Sequence, residues 1–339
     1  MEAILSVGID LGGTSIRLGI YDGQSMIAES SMPTMVSEGP EAAICAISAS
    51  LKQLQRQEGI AADTLAGVGI GSPGPINLRE GVLGVLPNLP GWEHFPLRQR
   101  LQEATGLPVM LESDANAAAF AEWKRGAGAA ADVDSMIMLT LGTGVGSGFL
   151  FAGRVWHGIL GMGGEAGHSS IDPNGWLCSC GTRGCLEMYA SANGVRRIAE
   201  QSAAHRENST LAELLTSTAP AQVPAALSDL AENGDTGALD VYRTYGHYLG
   251  IGIANLVNTL DPPLIVLGGG VAQAWPHFSP QLFDTLEQYS IVYRLAKPTQ
   301  TRHIERDRLF ICPAQLGPAA GLIGAALLPR CLQEANSSF

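Results

Sequence analysis

Apolar positions alternate with period two through Ile16, Leu18 and Ile20 and recur at helical spacing over Pro40 to Gln57. Ile4 to Ile9 form a short apolar run ending at Asp10, Leu11-Gly12-Gly13-Thr14 follows, and alternation resumes at Ile16, Leu18 and Ile20. This predicts a two-strand hairpin with a glycine and hydroxyl turn. Asp22-Gly23 marks a second hairpin turn toward a third strand near Met26 to Ser30. A helix is expected over Pro40 to Gln57, and strands over Leu65 to Ile70 and Val109 to Glu112. A further helix starts at Asp114-Ala115-Asn116 and runs through Trp123. Ser135 to Leu141 reads as a strand entering Gly142-Thr143-Gly144-Val145-Gly146, and Gly148 to Phe151 as its continuation, with a turn at Gly153. This strand, glycine turn and strand echo the first hairpin, so two similar halves are expected. Helices follow over Tyr189 to Ala204 and Tyr242 to Leu260, with a lower-complexity stretch from Thr216 to Leu227 that shows no chemistry. Strands at Leu264 to Leu267 and Leu309 to Cys312 come next, Gly268-Gly269-Gly270 joining the first of them to a helix. A small-residue helix from Ala319 to Leu328 returns the C-terminus to the first domain.

Glycine turns leave backbone N–H groups open to an anionic ligand. One Gly-Gly-Thr turn alone is more often just a plain hairpin, whereas two such turns offer donors to both ends of a polyphosphate. Neither has the strand–GxGxxG–helix form of a dinucleotide site. Gly71 to Asn77 (GSPGPIN) and Leu86 to Trp92 (LPNLPGW) read as rim loops. Asn88, between two prolines, either meets sugar hydroxyls through its amide or closes an Asx turn. Asp114, read alone, is a helix N-cap.

The stretch Gly161 to Glu187 places Cys178, Cys180 and Cys185 within a few residues of His168 in a glycine-rich loop with little periodicity. Three thiolates and an imidazole fill a tetrahedral structural zinc site, and Gly181 and Gly184 supply tight turns. The alternative is a set of buried free thiols. A fixed loop would also carry the carboxylates of Glu165 and Glu187 into defined places, which suits a polyhydroxylated ligand.

Composition narrows the class. A chain of 339 residues with 46% hydrophobic content predicts about two domains with ample cores. The net charge of −12, with no Lys/Arg cluster, argues against a nucleic-acid surface. The N-terminus shows no basic leader or long apolar run, so neither membrane nor export is expected and the cytoplasm is. Cys45, Cys312 and Cys331 are scattered, which fits a reducing compartment rather than a disulfide framework.

Asp10-Leu-Gly-Gly-Thr14, Gly71-Ser-Pro-Gly-Pro75, Pro87-Asn-Leu-Pro-Gly-Trp92, Asp114-Ala-Asn116, Gly142-Thr-Gly-Val-Gly146, Gly164-Glu-Ala-Gly-His168 and Cys178-x-Cys180-Gly-x-x-Gly-Cys185-x-Glu187 together resemble the ROK family of bacterial sugar kinases and repressors. The resemblance covers nearly the whole chain. Its cysteine motif is specific, its glycine turns are shared with the wider actin and hexokinase superfamily, and the Pro-Asn-Leu-Pro-Gly-Trp stretch is most similar to bacterial glucokinases.

The resemblance implies a two-domain actin-like ATPase (ribonuclease H-like) α/β fold, with ATP and sugar in the cleft between domains of 1–112 plus about 313–339 and 113–312. It implies ATP-dependent phosphorylation of the 6-hydroxyl of glucose, with N-acetylglucosamine, N-acetylmannosamine, fructose or allose as alternative acceptors. Asp114 would be the general base. Gly71, Asn88, Ser113, Glu165, His168 and Glu187 would hold the sugar. Asp10 would act near Mg²⁺, Gly12, Gly13, Thr14, Gly142, Thr143 and Gly144 would hold phosphates, and Gly268 and Gly269 would border the adenine. His168, Cys178, Cys180 and Cys185 would bind structural zinc, and a homodimer is common in the family. The repressor members carry an added N-terminal helix-turn-helix, for which a first strand at Ile4 leaves no room. One departure stands out: the kinases usually have Asn where this chain has Ser113, so weaker sugar selectivity is expected.

Overall fold

The computed structural model describes residues 4–86, 89–206, 209–299 and 308–336. Two compact units form. The first comprises the described residues up to Ala129, Gly148–Gly164 and those from Leu316 on; the second comprises Ala130–Ser147 and Glu165–Gln315. Residues 113–129 therefore belong to the unit of the N-terminal sheet.

In the first unit the strands are β1 (Leu5–Leu11), β2 (Ser15–Tyr21), β3 (Met26–Pro33), β4 (Leu65–Ser72), β5 (Ile76–Asn77), β6 (Val82–Leu83) and β7 (Val109–Ser113). Their main sheet runs β3-β2-β1-β4-β7, antiparallel from β3 to β1 and parallel from β1 to β7. Position in the sheet explains the residue patterns. Central β1 and β4 are apolar and buried on both faces, while edge strand β3 alternates half-buried and exposed residues. The short pair β5 and β6 forms a separate two-stranded ribbon.

A second sheet contains β8 (Met136–Leu141), β9 (Val145–Phe151), β10 (Arg154–Val155), β11 (Leu264–Gly268) and β12 (Phe310–Pro313), in the order β10-β9-β8-β11-β12. Here too a hairpin of antiparallel strands is extended by parallel ones, β8 beside β11 beside β12. The sheet order of the first unit is thus repeated, as the recurrence of the glycine turn predicts.

Helix Pro40–Glu58 buries one stripe, Ala43, Ile44, Ile47, Leu51 and Leu54, and stops at Gly59 in the left-handed region. Helix Ala320–Asn336 lies against β1 and β4 with no side chain between the backbones. A Cβ at Gly8 would sit 2.4 Å from the Leu322 carbonyl oxygen, and one at Gly69 only 1.9 Å from that of Ala325. The small-residue composition of this helix is therefore a packing requirement. Glu122, fully buried in helix Asp114–Arg125, accepts hydrogen bonds from the Ala127 amide at 2.9 Å and the Leu316 amide at 2.7 Å. One carboxylate thus fastens the chain near where it leaves the first unit and where it re-enters.

One sequence expectation is corrected here. Leu86 to Trp92 is not simply rim: Leu86, Leu89 and Trp92 are buried with Phe95 in the core, because apolar residues every third position point inward. Pro87 and Asn88 lie outside the described residues. The helices expected from Tyr189 to Ala204 are Glu187–Ala190 and Ala192–Arg206, divided where Ser191 is extended and its hydroxyl accepts from Gly194 N–H as a cap. The stretch Thr216 to Leu227, which shows no chemistry, lies partly in helices Ser209–Ser217 and Val223–Glu232 and buries Val223 and Leu227.

Gly69→Ala should lower the free energy of unfolding in urea by about 3 kcal/mol or more, because the added methyl meets helix backbone and not a movable side chain. A change below about 1 kcal/mol would contradict the close approach.

Candidate functional site

Strand register gathers the first unit's candidate residues. Asp10 pairs with Gly71 across β1 and β4, Gly71 with Glu112 across β4 and β7, and Ser72 with Ser113. Asp10, Gly71 and Ser113 therefore stand together at the carboxyl ends of three parallel strands, where ligands of open α/β sheets bind. Burial pushes the Asp10 carboxyl above the usual carboxylate range, and the Arg17 guanidinium opposes that shift. A cation beside Asp10 would favour its ionised form in the same way as Arg17 does. A Cβ at Gly321 would lie 3.2 Å from this carboxyl group, so the glycine leaves the acid its space.

The turn after β1 is held from behind. Gly12 N–H donates to the Ser15 carbonyl at 2.9 Å, the Thr34 hydroxyl donates to Gly12 O at 2.7 Å, and Thr34 N–H donates to Thr14 O at 3.1 Å. Thr34, on the segment after β3, carries no motif of its own. Gly13 is half-buried and Thr14 exposed.

At the end of β7 the cap assignment changes. Ser113, in extended conformation, accepts from Asn116 N–H at 3.2 Å and is the N-cap of helix Asp114–Arg125. Asp114 is instead the first helical residue; its side chain is exposed, with Oδ1 accepting from Ala115 N–H at 2.7 Å. Ser in place of Asn at 113 thus exchanges one good capping residue for another. A Cβ at Gly71 would lie 3.3 Å from the Ala117 methyl and 3.5 Å from the Asp114 Cα, so Gly71 lets the helix start against β4. Glu112, 5% exposed, accepts from Ser113 N–H at 2.9 Å and Asn116 Nδ2 at 3.0 Å through one oxygen, and pairs its other oxygen with His157 Nε2 at 2.7 Å. The bond to Glu112 raises the His157 pKa above its ordinary value, against the effect of partial burial. Sequence reasoning missed this pair because 45 residues separate its members and neither lies in a motif with spacing.

In the second unit the cysteine loop is closed by backbone bonds from Cys178 N–H to Thr182 O, Gly184 N–H to Trp176 O and Leu186 N–H to Ser169 O. Gly184 is required twice over: its φ is +69°, and a Cβ there would lie 1.7 Å from the Asp172 carbonyl oxygen. Trp176 stacks on Tyr189 with centroids 4.6 Å apart, and Tyr189 in turn meets Tyr248 at 4.3 Å, which anchors the loop on the helices behind it. The ligating atoms of His168, Cys178, Cys180 and Cys185 all lie within 4.8 Å of one another. Cys180 and Cys185 Sγ are 3.6 Å apart, and Cys178 Sγ is 3.7 Å from His168 Nδ1. A tetrahedron with metal–sulfur bonds of about 2.3 Å has edges of about 3.8 Å, so the donor set and its spacing fit zinc. Hydrogen bonding from the Thr182 amide holds the Cys180 thiol down at about 6, favouring the thiolate that a metal needs.

Glu187 faces the second glycine turn. Its Oε2 accepts from Val145 N–H at 3.0 Å, and a Cβ at Gly144 would lie 2.3 Å from that oxygen. Gly142 O accepts from Ala192 N–H at 2.7 Å and Thr143 O from Asn193 Nδ2 at 3.1 Å. The turn is thereby bonded to the helices that follow the cysteine loop. Gly268, paired with Thr140, and Gly269, with φ +89° against the Leu141 backbone, bring the end of β11 to the base of the same turn. Glu165 is exposed and begins a short 3₁₀ turn, Ala166–His168, whose Ala166 N–H donates to Ser147 Oγ at 3.0 Å.

The sequence profile of the ROK family matches residues 6–331. The chain belongs to the ROK family. It is similar to a glucokinase of Halalkalibacterium halodurans, 36% identical over 333 residues that cover 98% of this chain and 96% of that one. The crystal structure of a ROK hexokinase from Thermus thermophilus shares the fold with a TM-score of 0.77 at 35% identity, covering 98% of this chain and 99% of that chain. A ROK family glucokinase from Streptomyces griseus, crystallised in complex with glucose and AMPPNP, superposes with a TM-score of 0.75 at 32% identity over 96% of this chain and 99% of its own. With these ROK structures the fold is the actin-like ATPase kind, two α/β units of like topology. No helix among the described residues is long and apolar enough to cross a membrane.

The capping assignment is testable by stability alone. Ser113→Ala should lower unfolding free energy by about 1 kcal/mol, while Asp114→Asn should change it by less than about 0.5 kcal/mol. The reverse order in thermal or urea melts would restore Asp114 as the cap.

Proposed function

We propose that the protein is an ATP-dependent glucokinase that transfers the γ-phosphoryl group of ATP to the 6-hydroxyl of glucose. The similarity over almost the full chain to a ROK glucokinase holding glucose and AMPPNP carries this reading, and Asp114 at the head of its helix supplies the group the chemistry needs.

In this reading Asp114 orients the sugar hydroxyl and accepts its proton as the oxygen meets phosphorus. Phosphoryl transfer rests chiefly on positioning and charge neutralisation, so the carboxylate has only to orient the hydroxyl and receive its proton late. The Ser113 hydroxyl spends a lone pair on the Asn116 amide and keeps its proton to donate to the sugar. Asn88, Glu165, His168 and Glu187 are assigned to the remaining sugar hydroxyls, Glu187 through its carboxylate already fixed at Val145. The turns Gly12-Gly13-Thr14 and Gly142-Thr143-Gly144 offer backbone donors to phosphate oxygens, and Gly268 and Gly269 border the base. Mg²⁺, held near Asp10, would neutralise phosphate charge. His168 Nδ1 and the three thiolates hold a structural zinc, which leaves His168 Nε2 for the ligand. A thiolate zinc site fits a reducing compartment such as the cytoplasm.

The deciding experiment is ADP release with ATP, Mg²⁺ and a panel of hexoses and N-acetylhexosamines. Glucose should support turnover best, and Asp114→Asn should reduce kcat about 10²-fold or more without unfolding the protein. Absence of sugar-dependent release with every sugar would end the kinase reading, and a tenfold preference for another sugar would end the glucokinase one.

Elemental analysis of protein purified without added metal should find one zinc per chain, and Cys180→Ser should lose both zinc and thermal stability. A metal-free preparation with unchanged melting and activity would refute the zinc assignment.

A further inference from the structure

Glu112 is an acid placed where a simple strand end needs none. It is 5% exposed, and burying a carboxylate is costly unless its oxygens are bonded. All three of its partners bear on one place. Ser113 N–H immediately precedes Asp114, and Asn116 Nδ2 belongs to the first turn of the helix that Asp114 begins. The third, His157 Nε2, comes from the segment after β10 and meets the remaining oxygen at 2.7 Å. The Asp114 carboxyl is itself tied to the Ala115 amide, so its direction follows the backbone of this turn.

We propose that Glu112 and His157 form a positioning pair for Asp114, in which the imidazole holds the Glu112 carboxylate and the carboxylate fixes the strand-to-helix turn that aims the base. This rests on the assignment of Asp114 as the base and deepens it. Neither residue needs to touch the substrate. A bond of 2.7 Å is at the short, strong end of the N–H···O range. A turn freed to shift by a fraction of an ångström loses alignment with the attacking oxygen, which is where phosphoryl transfer derives its rate. His157 stands on the wall of a cavity of about 920 Å³ in the first unit, whose other charged or titratable groups are Arg79, Glu80, His94 and Glu112. Of these, Glu112 is the one bonded to the ring.

The test compares His157→Leu, which removes the donor, with His157→Gln, whose amide can restore one. His157→Leu should lower kcat about tenfold with the KM for ATP within about twofold, and His157→Gln should stay within about threefold of the parent. Amide hydrogen exchange at Ser113 and Asn116 should quicken in the Leu variant and stay near parental rates in the Gln variant. That arm reads the turn without any sugar, so it decides the proposal even if the parent protein phosphorylates none of the hexoses tried, a result that would sink the kinase reading instead. An unchanged kcat in a folded His157→Leu protein, equal losses in the two variants, or unaltered exchange at Ser113 and Asn116 would each overturn the pair.

Discussion

Close contact between bare backbone surfaces governs the first unit. Strands β1 and β4 present Gly8 and Gly69 to helix Ala320–Asn336, and Gly324 of that helix faces the Ala117 carbonyl of helix Asp114–Arg125, where a Cβ would lie 1.8 Å away. With no side chains as spacers, the layers have one separation and little freedom to slide. The consequences reach the chemistry directly. Gly71 admits the start of the helix that carries Asp114, and Gly321 leaves room for the Asp10 carboxyl, so both acids are placed by the packing that builds the core.

The second unit solves the same problem by cross-linking. Its irregular loop is held by backbone bridges, by the Trp176, Tyr189 and Tyr248 stack, and by a cluster of three thiols and an imidazole at metal-ligand spacing. Glu187, two residues past the last cysteine, carries that order into the glycine turn after β8 through its bond to Val145. The cysteine loop and the glycine turn after β8 are therefore one bonded assembly, so disruption of the His168 and cysteine cluster is expected to disturb both.

Much of this was legible in the sequence because periodicity and turn chemistry are local. The paired glycine turns, the alternation around them and the spacing of Cys178, Cys180 and Cys185 predict the repeated sheet and the cluster. What failed turned on backbone conformation, on burial or on partners far along the chain. Asp114 reads as a cap because Asp is a good one, yet Ser113 one residue earlier has the extended backbone that a cap needs. Trp92 reads as part of a rim because prolines and glycine surround it, but an indole of that size is driven into the core. Glu122, which binds Ala127 and Leu316, and Glu112, which binds His157, have no signature at all, since their donors are backbone amides or a histidine distant in sequence.

Transfer to sugar, as opposed to mere ATP cleavage, is the centre of the account. Phosphorus NMR of a reaction of the purified protein with glucose, ATP and Mg²⁺ tests it most directly. The γ-phosphate signal should be replaced by that of glucose 6-phosphate in equal amount with ADP, and no inorganic phosphate should build up beyond a glucose-free control. Inorganic phosphate as the main product, or a sugar phosphate carrying the group on another hydroxyl, would contradict it.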